Sequence, residues 1–190
     1  MARLNVVGFD PSLRNWGIAC GVFNTDTLEL RMTHIERVAP VQTKEKGIRV
    51  NSKDLHRSEQ LAKRAFEIGK QAHALFVEVP VGSKSAAAMK SYGVCVGILA
   101  SLRGTGIPLL EVSPEQVKMI ATRTATATKK QMIDWASTLY PTLPWPTYTR
   151  NGTALITQDA AEHMADAIGA IHAGIATPEF QRMLPLLRAA

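Results

Sequence analysis

Three widely separated segments of this chain each carry an acid that a fold could offer to one site. Asn5–Asp10 reads as a buried strand that ends on a carboxylate, after which Pro11 and Ser12 turn the chain toward Arg14 and Gly17. Phe76, Val77 and Val79 flank a second acid, Glu78, inside another apolar run. A polar stripe nearer the carboxyl terminus carries Glu162, His163 and Asp166. A fold that offers all three segments to one site must bring a carboxylate from each. Like charges a few ångströms apart repel and raise each other's pKa, so such a gathering serves no purely structural end. A divalent cation removes the objection, and a basic chain around the acids points to metal-dependent chemistry on a polyanion.

Composition sets the bounds. A length of 190 residues without a linker-like tract predicts one domain over 1–190, and the formal net charge of +6 favours a polyanionic partner. No charged and apolar leader precedes Val6–Asp10, and the longest apolar stretch, near Gly93–Leu102, is too short and interrupted to span a bilayer. Cys20 and Cys95 have neither zinc nor redox spacing and read as buried thiols. A soluble chain in a reducing, cytoplasmic compartment is expected.

The pattern along the chain predicts a sheet covered by helices. Asn5–Asp10, Trp16–Phe23 and Leu28–Val38 read as an antiparallel meander, with Asn24–Thr27 as a polar turn. Pro40–Asp54, with Lys44, Lys46, Arg49 and Lys53, reads as a mobile basic loop that either touches DNA or is simply solvated. Leu61, Ala65, Ile68 and Ala72 recur at helical spacing within Leu55–Ala72, and Leu75–Val79 is a buried strand. Ser83–Arg103 is helical despite Gly93 and Gly97, each costing about 1 kcal/mol relative to alanine, so a close approach to the sheet or to a second subunit should offset them. Ile107–Val112 is a last strand, and Ser113-Pro114-Glu115-Gln116 and Thr128–Gln131 are capping boxes that open two helices. Pro141, Pro144, Pro146 and Asn151-Gly152 make Tyr140–Thr153 an irregular loop or a small hairpin. In Gln158–Ala176 one face is apolar, and Asp159, Glu162, His163 and Asp166 share the opposite one.

The order of these elements fits a ribonuclease H-like α/β fold: a mixed five-stranded sheet, antiparallel meander then parallel strands, flanked by helices. Four motifs narrow it. Gly8-Phe9-Asp10-Pro11-Ser12-Leu13-Arg14-Asn15-Trp16-Gly17 resembles the opening motif of the RuvC family of Holliday junction resolvases. Phe76-Val77-Glu78, running on through Lys84 to Gly93, is similar to the family's second acid and its surroundings. Ser113–Lys118, with Lys129 eleven residues beyond Lys118, resembles a third motif, and His163-Met164-Ala165-Asp166-Ala167 a fourth. The resemblance covers nearly the whole chain in order, with extra residues around Pro40–Asp54 and Pro144–Thr157.

The resemblance implies Asp10, Glu78, His163 and Asp166 as ligands of two magnesium ions, with manganese able to substitute, and Lys118 and Lys129 near the scissile strand. It puts Arg14, Lys84, Lys118, Lys129 and Lys130 on the nucleic-acid side. It further implies a homodimer that cuts branched DNA and leaves 5'-phosphate and 3'-hydroxyl ends. Magnesium favours oxygen donors and retains waters, which suits carboxylates and a substrate phosphate. His163 is read as a ligand, a proton donor or a helix-surface residue, and Asp159 and Glu162 as exposed or capping residues. One departure stands out. Three residues beyond Glu78, where bacterial relatives carry an aromatic that stacks into the opened junction, this chain has Val81, so specificity for four-way junctions should be relaxed toward other branched DNA. Two further readings remain beside this one, an RNA-processing nuclease of the same fold and a non-catalytic junction-binding module. A sugar kinase or actin-like ATPase would need a glycine-rich phosphate turn and a second large domain, which the chain does not provide.

Overall fold

A computed structural model describes residues 3–42, 47–79 and 82–189. Strands β1 (Arg3–Asp10), β2 (Trp16–Asn24) and β3 (Leu30–Val38) form the meander, followed by helix α1 (Val50–Gly69), strand β4 (Ala74–Glu78), helix α2 (Ala86–Arg103) and strand β5 (Leu109–Val112). The five strands make one sheet in the order β3-β2-β1-β4-β5, with β1, β2 and β3 antiparallel and β4 and β5 parallel to β1. Helices α3 (Pro114–Thr122) and α4 (Lys129–Leu139), the hairpin β6 (Thr147–Arg150) and β7 (Thr153–Ile156), and helices α5 (Gln158–Ile175) and α6 (Pro178–Ala189) complete the chain. This is the mixed sheet that the pattern predicts.

The sheet separates two apolar clusters. Residue alternation sends Leu4 and Val6 of β1 to one side with Ala74 and Phe76 of β4, where α5 lies. Val7 and Phe9 go to the other side with Leu75 and Val77, against α1 and α2. Helix α5 packs on β1, β2 and β4 and is itself covered by α3 and α4. Both capping boxes are formed, at Ser113 and at Thr128. Among the described residues, no helix is long and apolar enough to cross a membrane.

Several expectations need correction. Helix α1 begins at Val50, inside the stretch expected to be a loop through Asp54. The reason is Asp54: its buried carboxylate accepts hydrogen bonds from Arg57 at 2.7 Å and Lys90 at 2.5 Å, which fastens the amino-terminal part of α1 onto α2. Of the basic loop, Lys44 and Lys46 lie outside the described residues. Gly93 and Gly97 do not approach the sheet. Cys95, Ile98, Leu99 and Leu102 take that side of α2, and nothing lies within 4 Å of where a Cβ on either glycine would sit. Helix α6 is an addition; its Arg188 donates to the Thr25 carbonyl and closes the β2–β3 turn. Of the two options for Tyr140–Thr153, the hairpin is found: Asn151 and Gly152 both have positive φ (52° and 78°), the pair of conformations a tight two-residue hairpin turn demands.

Candidate active site

Register brings the first two acids together. In the parallel pair β1–β4, Gly8 faces Phe76 and Phe9 faces Val77, so Asp10 and Glu78 come next on neighbouring strands. Asp10 continues the row Leu4, Val6, Gly8, and Glu78 continues the row Ala74, Phe76. Both carboxylates therefore leave the sheet on the side where α5 lies.

Helix α5 supplies the rest because two glycines let it settle onto the strands. A methyl group on Gly17, which pairs with Asp10 across β1–β2, would collide with the carbonyl oxygen of His163. A methyl on Gly8 would collide with that of Ala167, one helical turn further on. With backbone on backbone, His163 Nδ1 lies 2.5 Å from Asp10 Oδ2. Its Nε2 lies 3.6 Å from Glu162 Oε1. Both oxygens of Glu162 in turn hold Lys129 Nζ, at 3.0 and 2.8 Å. A chain of four side chains thus runs from the end of β1 to the start of α4.

Beside it is a cleft of about 190 Å³, lined by Glu78, Asp166, Lys118, Lys129, Pro114, Val117, Ala127 and Met132. The capped starts of α3 and α4 carry the two lysines to the acids. Lys118, inside α3, and Lys129, the first residue of α4, face the same cleft although eleven positions separate them. Arg14 lies in a separate groove with Ser12, Leu13 and the α2 residues Ala87, Ala88, Ser91 and Tyr92. Lys84 is exposed just ahead of the α2 cap, and Lys130 is turned along its own helix to Asp134 at 2.5 Å. Val81 lies outside the described residues.

The electrostatics follow from this crowding. Burial, then the charges of Asp10 and Asp166, push Glu78 up to about 8, with Lys118 opposing. Burial and Asp10 likewise push Asp166 up to about 7, against the pull of His163 and Lys118. For His163 burial disfavours the charged ring, but the hydrogen bond and charge of Asp10, with Glu162 and Asp166, outweigh it and raise the pKa. These are acids held close enough to resist ionising together.

Among the described residues, no group of three His, Cys, Asp or Glu side chains is placed to hold a metal ion as it stands. The donor chemistry nonetheless fits a hard divalent cation: carboxylates from β1, β4 and α5 meet at one end of the sheet, and what raises the pKa of Glu78 and Asp166 is burial and negative charge, the latter of which a cation would offset. Asp10 keeps one oxygen free of His163. The expectation that Asp159, Glu162, His163 and Asp166 share a polar face opposite the apolar one needs revision. Only Asp159 is exposed, while the other three are partly buried toward the sheet end. Glu162 is the residue that sequence reasoning set aside. Its signal was the four-residue step to Asp166, which puts both on one side of α5.

No protein-family model matches the chain, and no curated protein matches it in sequence. Solved structures do. The chain is similar to RuvC of Thermus thermophilus in complex with a Holliday junction substrate, with 20% identity over 95% of this chain and 96% of that one and a TM-score of 0.62. A second Thermus thermophilus RuvC structure gives 19% identity over the same shares of the two chains, with the same TM-score of 0.62. A Fowlpox virus resolvase in complex with Holliday junction DNA follows at 12% identity, with 97% and 99% covered and a TM-score of 0.53. At such identities the likeness establishes a shared fold, with the strand and helix order predicted for the ribonuclease H-like class.

Proposed function

We propose that this chain is a divalent-metal-dependent endonuclease that cuts branched DNA, four-way junctions above all, and that it acts as a homodimer of a single nuclease domain. The observation that carries this reading is the convergence of Asp10, Glu78 and Asp166 at one sheet end, beside a cleft whose other wall bears Lys118 and Lys129. The likeness in fold to junction resolvases supports the choice of substrate.

Asp10, Glu78, Asp166 and the His163 ring would hold magnesium, or manganese in its place. Bound there, such ions supply a water of lowered pKa and neutralise charge at the attacked and leaving oxygens. The chain's own groups do the remainder. Glu78 and Asp166, whose pKa values are raised by burial and mutual crowding, would ionise more readily beside a bound cation. Lys118 offers its ammonium to a phosphate oxygen in the same cleft. Asp10 orients the His163 ring through Nδ1, so Nε2 points toward Glu162 and the cleft side of α5.

Dimerisation is supported by the outer side of α2. Met89, Gly93, Val96, Gly97 and Ala100 follow one another at helical spacing and are all exposed, an apolar strip with room for a second helix. Two copies related by a two-fold axis would set two acid sites on opposed strands of a four-way junction. The test is cleavage of labelled four-way, three-way, flap and linear duplex DNA, and of a structured RNA, with and without magnesium. Magnesium-dependent paired nicks in the four-way junction, with lesser cutting of the three-way and flap substrates, are expected. Preference for the RNA would replace this reading with an RNA-processing one, and binding without any cutting would reduce it to a junction-binding module.

A further inference from the structure

Glu162 belongs to none of the four motifs, yet it is the best connected acid on the cleft side of α5. Its side chain is 14% exposed, while that of Lys129, which it grips with both oxygens, is 75% exposed. A lysine this exposed gains little by pairing on the surface and has many other rotamers open to it. The buried partner therefore determines where the ammonium rests. Were the partner removed, two other acids would compete for it, since the lysine is also drawn toward Asp159 and Asp166. Asp159 is solvated and attracts weakly. Asp166 is buried in the same cleft that Lys129 lines, and attraction strengthens as water is excluded. An ammonium on Asp166 would occupy the place of a cation.

We infer that Glu162 is a positioning residue that holds Lys129 aside, keeping its ammonium off Asp166 so that the acid cluster stays open to a divalent ion. This rests on the metal-site reading above and adds a task for a residue outside the ligand set. It also explains why an uncharged neighbour would not serve. A neutral side chain at 162 would leave the lysine to neutralise the acids itself.

The measurement is the affinity of the free, DNA-less protein for Mn²⁺ alone, by calorimetry or by the loss of the free-ion electron paramagnetic resonance signal, over a double-mutant cycle. Glu162→Gln should weaken Mn²⁺ by about tenfold, the order expected for coupled neighbours. Lys129→Ala should change the affinity less than about twofold in the parent, where Glu162 already neutralises it, and restore about tenfold in the Glu162→Gln background. Glu162→Ala serves in the same cycle should the glutamine variant not fold. If Lys129→Ala shifts affinity by the same factor in both backgrounds, the two residues act only as independent charges and the inference fails. It fails too if Glu162→Gln binds Mn²⁺ like the parent. A parent that binds no Mn²⁺ at all would instead overturn the metal-site reading on which the inference stands, so the two failures are told apart.

Discussion

Helices α5 and α2 cover the sheet from opposite sides, and each owes its character to glycines used in contrary ways. On the α5 side the glycines are in the strands: Gly8 and Gly17 remove side chains from under the helix, so that its backbone touches theirs. That contact sets the height of His163 and Asp166 above Asp10 and Glu78. On the α2 side the glycines are in the helix and look outward, with nothing within 4 Å of their missing Cβ atoms. They contribute nothing to packing in this chain and weaken the helix by about 1 kcal/mol each. One set of glycines builds the candidate site. The other is explained if a second copy comes close.

Substitution breaks the comparison most sharply at Gly17. Gly17→Ala pushes a methyl into the His163 carbonyl, where backbone has no easy retreat, and should cost about 3 kcal/mol or more of stability together with all cleavage. Denaturant unfolding and a junction cleavage assay read both. A variant as stable and active as the parent would show that α5 does not owe its seat to that glycine.

The next effect tests the electrostatics of the seated helix. Glu78 in the folded chain holds its proton up to about 8, against 4.5 for the free group, and Asp166 up to about 7. The folded state therefore binds more protons than the unfolded one between these values. As far as these two groups go, stability in chelator is greatest below the free-group values of 3.8 for Asp166 and 4.5 for Glu78, and falls as pH rises toward 8. Glu78→Gln removes part of this dependence, and should be the more stable protein at pH 8 by an amount on the order of a few kcal/mol. Thermal melting of both proteins across pH 5–9 in chelator checks it; parallel curves would mean that Glu78 is not held in the way described. Adding magnesium at pH 8 should raise the melting temperature of the parent and leave the variant nearly unmoved.

On α2 the expected sign is reversed. Gly93→Ala and Gly97→Ala should each stabilise an isolated chain by up to about 1 kcal/mol, since the new methyl meets nothing and the helix gains. Self-association, followed by sedimentation, should weaken. A parent that stays monomeric would remove the explanation offered for these glycines. The smallest effect belongs to the lysines: Lys118→Ala should lower the salt slope of DNA affinity by about one, and Lys129→Ala by less, because Glu162 already claims that ammonium. Equal slopes for both would count against the difference.

The sequence reveals what local chemistry dictates. Asp10 and Glu78 can be read from it because an acid within an apolar strand is expensive and is seldom kept without a use. Asn151-Gly152 and the two capping boxes are legible for the same reason, since each meets a requirement of the backbone a few residues away. Glu162 is only partly legible: its four-residue step to Asp166 puts it on the right side of α5, but its task depends on Lys129, thirty-three positions distant. The start of α1 is hidden in a similar way. Asp54 looks like loop composition until Lys90 is brought to it from the next helix. Gly93 and Gly97 announce a close approach but not its direction, which depends on the side α2 turns to the sheet.

The central claim is that acids from β1, β4 and α5 act as one metal site on branched DNA. Its most direct test is a magnesium titration of four-way junction cleavage by the parent and by Asp10→Asn, Glu78→Gln and Asp166→Asn, with junction binding measured in calcium alongside. The account predicts metal-dependent cutting by the parent, loss to background in all three variants, and binding in calcium close to that of the parent, because binding rests on phosphate contacts and cleavage on the acids. Near-parental turnover by any one of the three variants in magnesium would contradict it.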